Sequence, residues 1–167
     1  MPRKIDIAAA PRIEGSRYPP PFDAACNARV RRALGDAAGL TQFGVNLCRL
    51  SPGAWSSQRH WHTAEDEFVY VLEGTVTLVT NSGEETLRPG DCAGFSAGDA
   101  DGHHLQNRSD RDAVFLEIGT RREVEDETFY PDVDLHAPRG AVGYTHKDGT
   151  RYPPRDTPRP AREDTPC

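Results

Sequence analysis

Between Phe43 and Ile118 apolar and polar residues alternate with a period of two, the spacing of a half-buried strand rather than of a helix. Phe43–Leu50, Glu67–Leu72, Thr75–Thr80, Glu85–Leu87, Cys92–Phe95, His103–Asn107 and Ala113–Ile118 each read as a strand. Ser51-Pro52-Gly53, Glu73-Gly74, Asn81-Ser82-Gly83 and Pro89-Gly90-Asp91 punctuate them as turns. Short strands at about 8–12-residue spacing without intervening helices predict an all-β fold, an antiparallel sandwich or barrel.

The flanks differ. Pro2, Pro11, Pro19, Pro20 and Pro21 give residues 1–22 the look of an extended arm, and Ala24–Leu34 predicts a short helix stopped near Gly35. After Gly119 the chain turns acidic and irregular, with a small hairpin expected on Asp148-Gly149 between Tyr144 and Tyr152. Beyond it Pro153, Pro154, Pro158, Pro160 and Pro166 mark an extended tail. The expected division is an N-terminal arm over 1–34, a barrel over 35–122 and an irregular C-terminal extension over 123–167.

Net charge is −6, and the arginines at 29, 31, 32, 121 and 122 have acidic neighbours, which argues against a nucleic-acid partner. No run reaches the roughly 20 apolar residues of a membrane span, and the N-terminus lacks the apolar stretch of an export signal. Cys26, Cys48, Cys92 and Cys167 are scattered, so reduced thiols and a cytoplasmic location are expected, with Cys92 a small buried residue. Exposed edge strands that the proline-rich arms could cover predict a homodimer.

The chemistry gathers in two motifs. In the first, Gly53 is followed after six residues by His60, after one more by His62, after four by Glu67 and after six by Gly74. In the second, Gly90-Asp91 and Phe95-Ser96-Ala97-Gly98 precede His103, with three residues to Asn107. On an extended segment the first two imidazoles share a face about 6.5–7 Å apart, close enough to converge on one ion. Glu67 opens an otherwise apolar strand, where a carboxylate needs a cationic partner.

These motifs resemble the two-motif signature of the cupin superfamily. The resemblance implies a double-stranded β-helix, or jelly-roll barrel, and a ligand set of His60, His62, Glu67 and His103 for one divalent transition metal ion (Zn, Fe, Mn, Ni, Co or Cu). It also implies tight turns at Gly74 and Gly90 and a structural role for Asn107. Ser96 stands where the family usually has proline, and four residues, Asp99–Gly102, separate Gly98 from His103 instead of the commoner two. That longer loop leaves His104 as a rival to His103.

Three imidazoles and a carboxylate leave open positions for a substrate with two oxygens, so a small-molecule partner is expected. The expected activity is isomerase- or lyase-type chemistry on a small oxygenated metabolite, including a sugar or sugar phosphate, in the manner of sugar-phosphate-isomerase-like small cupins. A dioxygenase and a non-catalytic binding or sensing module are the alternatives. His104, Tyr70 and Gln106 are the candidate bases, and Arg49, Arg59 and Arg88 the candidate phosphate contacts. His136, His146, Glu65 and Asp66 read as surface or loop groups.

Overall fold

A computed structural model describes residues 4–153. It contains twelve strands: β1 (Arg12–Glu14), β2 (Arg29–Ala33), β3 (Phe43–Leu50), β4 (Trp61–His62), β5 (Glu67–Glu73), β6 (Val76–Thr80), β7 (Gly83–Leu87), β8 (Cys92–Phe95), β9 (His104–Gln106), β10 (Ala113–Thr120), β11 (Thr128–Tyr130) and β12 (Leu135–Ala137). One short helix, α1 (Leu34–Ala38), follows β2 and ends on Gly39 at φ 73°.

Six strands form one antiparallel sheet in the order β1-β2-β3-β10-β5-β8. The opposing layer consists of two three-stranded sheets, β12-β11-β4 and β7-β6-β9. They meet where His60 and His103 exchange backbone hydrogen bonds, His60 N to His103 O at 3.1 Å and His103 N to His60 O at 2.8 Å. Antiparallel strands in two facing layers make this the expected all-β jelly roll.

Alternation decides what is buried. On β5, Val69 and Val71 face inward, and on β10 Ala113 and Phe115 do, joining Cys48, Leu50, Val76, Leu78, Leu87 and Leu105 in one aliphatic core. A second core lies under the flanks, where Tyr18, Cys26, Tyr130 and Leu135 are buried and Phe22, Trp55 and Tyr144 pack on them. Gly74 turns β5 into β6 at φ 71°, and a Cβ there would fall 2.5 Å from the Asp112 carbonyl oxygen. Asn107 is structural: fully buried, it donates to Leu50 O at 2.8 Å and Arg111 O at 2.7 Å.

The flanks correct the sequence reading. Ala24–Leu34 is not a helix: a 3-10 turn at Ala24–Cys26 gives way to β2. Alanine, arginine and leucine favour helices, but pairing with β3 overrides so weak a preference. Arg29 points inward and is 5% exposed, its guanidinium donating to the carbonyls of Gly15 and Ser56, and Arg31 pairs with Glu117. β1 and β2 extend the large sheet, and β11 pairs with β4. The hairpin is present, with Thr145 opposite Arg151 and His146 N donating to Thr150 O at 2.7 Å. Cys92 is exposed, since its position on β8 faces outward. The proline-rich tail lies, from residue 154 on, outside the described residues, as does Cys167.

Candidate metal centre

The rung that joins the two small sheets also places the site. His60 and His103 stand opposite each other on it, β4 sets His62 two residues on, and β5 begins with Glu67 directly across. One oxygen, Glu67 Oε2, lies 2.9 Å from His103 Nε2 and 3.5 Å from Nε2 of both His60 and His62. The His60 ring centroid is 5.0 Å from those of His62 and His103. The four side chains expected from sequence are thus brought together.

Their outer nitrogens are held too. His60 Nδ1 is 2.9 Å from Gln58 O, an oxygen that only accepts, so this nitrogen is the donor. His62 Nδ1 donates to Asp126 Oδ2 at 2.6 Å, and Asp126 Oδ1 accepts from Ala64 N at 2.8 Å. His103 Nδ1 is buried with no hydrogen-bond partner among the described residues, and Phe95 stacks on the ring at 3.5 Å. With Nδ1 protonated, neutral His60 and His62 aim bare Nε2 lone pairs at a carboxylate oxygen. Such facing lone pairs at 3.5 Å are relieved by a cation among them or by a proton on Nε2. The donor atoms of His60, His62 and Glu67 all lie within 4.8 Å of one another, a set compatible with a first-row metal, and His103 joins them through Glu67 at 2.9 Å.

The same contacts set the electrostatics. Burial works to raise the Glu67 carboxyl, but His103 and His60 outweigh it and hold it well below the usual carboxylate range. Burial pulls His60 down, and Glu67 more than restores it, so the imidazole ends above its ordinary value. His103 is lowered, chiefly by burial. Asp126 is depressed because His62 and the Ala64 N–H overcome its burial.

A cavity of about 190 Å³ opens on the cluster. Trp61, Leu78 and Phe95 supply apolar wall, and its charged lining is all acidic: Glu65, Glu67, Asp99 and Asp101. A groove of about 1290 Å³ adjoins it, sharing His62 and Glu65 and bounded by both flanks; Arg17 and Arg151 line it. Glu65, read from sequence as a loop charge, is therefore part of the site. Its Oε1 accepts from Arg122 N at 2.6 Å, and burial raises its carboxyl.

The other candidates fall away from the cluster. His104 turns to the opposite side, donating from Nδ1 to Ser57 O at 3.0 Å and receiving the Gln106 amide at Nε2, and burial lowers it to about 4. This removes His104 and Gln106 as bases; Tyr70 sits on the outer sheet face, 39% exposed. Arg49 pairs with Asp112, Arg59 is clamped to Asp132 at 2.7 and 2.6 Å, and neither they nor Arg88 line the cavity. His136 meets Glu127 at 2.8 Å and His146 meets Asp134 at 2.7 Å, away from the cluster. Asp126 was missed: it lies 64 residues from His62 in an acidic run that reads as solvated surface, and no local signal marks it.

Residues 46–119 match the model of the Cupin domain family. A solved sugar phosphate isomerase from a cupin superfamily, from Silicibacter pomeroyi, is 46% identical, with a TM-score of 0.84 over 90% of this chain and 97% of that one. The chain belongs to the cupin superfamily. A candidate sugar phosphate isomerase from Acidithiobacillus ferrooxidans is 34% identical to this cupin, with a TM-score of 0.67 over 77% of this chain and 81% of that one. A polyketide cyclase from Streptomyces resistomycificus, 21% identical with a TM-score of 0.59 over 72% and 80% of the two chains, shares the fold. No curated protein matches the chain. No helix among the described residues of this cupin is long and apolar enough to cross a membrane.

Proposed function

We propose that this cupin is a metal-dependent isomerase acting on a small polyhydroxylated carbonyl compound, a sugar or sugar phosphate, with His60, His62, Glu67 and His103 holding one divalent transition ion. The observation that carries the reading is the convergence of three Nε2 atoms on one Glu67 oxygen beside an open cavity. Such an ion, when bound, supplies Lewis acidity toward a carbonyl or hydroxyl oxygen. The names of the two more similar neighbours support the substrate class.

The chain's own groups carry the rest. Glu65 is the base: Arg122 N–H anchors Oε1, and the other oxygen moves the proton between adjacent carbons. Asp126 fixes the tautomer and angle of His62, and the Gln58 carbonyl does the same for His60. Trp61, Leu78 and Phe95 exclude water from one wall. With four carboxylates and no Lys or Arg lining it, the cavity repels a phosphate. The adjoining groove sets Arg17 and Arg151 among Glu14, Asp23, Glu65, Glu123 and Asp126, so a phosphorylated sugar with its carbonyl end in the cavity would meet a guanidinium only there, at Arg17 or Arg151.

The test combines metal analysis of purified protein with deuterium uptake from solvent into a panel of aldoses, ketoses and their phosphates. Exchange at the carbon beside the carbonyl is expected in wild type, and Glu65→Gln lowers it about 100-fold or more with metal content retained. Arg17→Ala weakens binding of the phosphorylated members alone. Protein that binds no metal, or exchange unaffected by Glu65→Gln, overturns the proposal.

A further inference from the structure

Two openings meet at His62 and Glu65, and they differ in scale. The metal-side cavity holds about 190 Å³, below the roughly 300–1,000 Å³ of a typical small-molecule site, whereas the adjoining groove holds about 1290 Å³. A lone phosphate, with the bulk of a few waters of roughly 30 Å³ each, would leave nearly all of that groove to solvent. Both flanks build it: Arg17 comes from the N-terminal segment, and Tyr144, Thr145, Arg151 and Tyr152 from the C-terminal hairpin. Five carboxylates against two guanidinia leave its lining at a net −3, which disfavours an anionic ligand. Its donors are nevertheless open. Neither Arg17 nor Arg151 makes a side-chain hydrogen bond or ion pair among the described residues. Thr145 is 7% exposed, and its hydroxyl is buried without a hydrogen-bond partner among the described residues, a state that costs stability until something satisfies it. Tyr152 has one ring face covered by His146 at 3.9 Å and also lines the groove. Val142, 99% exposed, and Pro19, Pro138 and Pro153 add apolar C–H surface.

We propose that this groove is the subsite for a second sugar ring, so that the substrate is a reducing oligosaccharide whose carbonyl-end unit enters the metal-side cavity. This rests on the reading of that cavity as the seat of the isomerised carbonyl, and it adds what lies beyond the first ring. A sugar ring carries hydroxyls around its edge, each both donor and acceptor, and C–H bonds on its faces. The groove offers a match for each. Its carboxylates accept from hydroxyls, Arg17 and Arg151 donate to them, and the Thr145 hydroxyl does either. The Tyr152 ring and the prolines meet the C–H faces. A neutral ligand escapes the repulsion that the lining imposes on an anion, while a cationic one would face Arg17 and Arg151. Because His62 and Glu65 line both openings, a two-ring ligand crosses from one to the other without meeting a wall. The second ring is bound only; no bond to it forms or breaks.

Calorimetric titration of the full, metal-loaded chain with a panel of reducing disaccharides and their component monosaccharides tests this. At least one disaccharide is expected to bind about 10-fold or more tightly than its component sugars. Arg151→Ala and Thr145→Val lower disaccharide affinity about 5- to 10-fold, with little change toward the unphosphorylated single sugars. A hydroxyl of purely structural role would not produce that split, since an unpaired buried hydroxyl is removed without penalty. Solvent deuterium exchange into the same sugars separates the two readings. Disaccharide preference without exchange sinks the isomerase and keeps the subsite; exchange without disaccharide preference sinks the subsite alone. Equal affinity for one ring and two throughout the panel, or both variants binding as wild type does, overturns the proposal.

Discussion

The two cores of this molecule bury their side chains by different means. The aliphatic core draws its residues from positions 48–115 and holds them by strand alternation, with scarcely a polar atom to satisfy. The aromatic core joins the two flanks, Tyr18 and Cys26 to Tyr130 and Leu135, and must accommodate phenol hydroxyls as it packs. Tyr130 meets Tyr18 edge-on at 5.6 Å, and its hydroxyl is within hydrogen-bonding reach of Tyr18 and Tyr144. The ligand cluster lies between them, His60 stacking on Tyr130 at 5.7 Å on one side and Glu67 opening the strand of Val69 and Val71 on the other. Shape alone secures the first core; the second also depends on hydrogen bonds and protonation.

The contrast breaks most visibly at Phe115. It is fully buried among aliphatic side chains, so Phe115→Ala is expected to lower unfolding free energy by about 3–5 kcal/mol in urea titrations. A loss below about 1.5 kcal/mol would mean that the aliphatic core collapses around a void. Asp126→Asn tests where the flank meets the cluster. Chelator competition should show metal affinity reduced about 10- to 100-fold, equivalent to about 1.4–2.7 kcal/mol, with little change in the melt of the metal-free protein.

Tyr130→Phe sharpens the comparison from the other side. It keeps the ring and removes the hydroxyl that links Tyr18 and Tyr144, costing about 1–2 kcal/mol. The smallest effect at neutral pH becomes visible in alkali. Burial, first among the causes, raises the phenols of Tyr18, Tyr130 and Tyr144 above their ordinary value of 10.0. Groups raised on folding contribute stability that is complete below their unfolded value and is lost as pH climbs through the folded one. Stability from this core should therefore be flat up to about pH 10 and fall above it, with tyrosinate absorbance rising together with loss of tertiary dichroism. Ionisation of all three phenols in a still-folded chain would contradict this.

Legibility in the sequence follows the same divide. Strands from Phe43 to Ile118 could be read because their alternation survives residue by residue, and His60, His62 and Glu67 because their spacing is local. His103 and His104 could not be separated without the rung opposite His60, which turns one ring to Glu67 and the other to Ser57. The stretch Arg29–Ala33 was misread because its partner, β3, rather than its composition decides its state. Cys92 needed the parity of β8 within the sheet. Asp126 and Glu65 looked like ordinary acidic surface until folding set both beside His62.

The rung between His60 and His103 gives the proposed ion a mechanical meaning. It is the place where two otherwise separate halves of one layer are sewn together, and a cation gripped by both imidazoles would act there as a rivet. Stripped of it, the stitch should loosen, and deuterium exchange at those two amides would report occupancy even when no substrate is turned over.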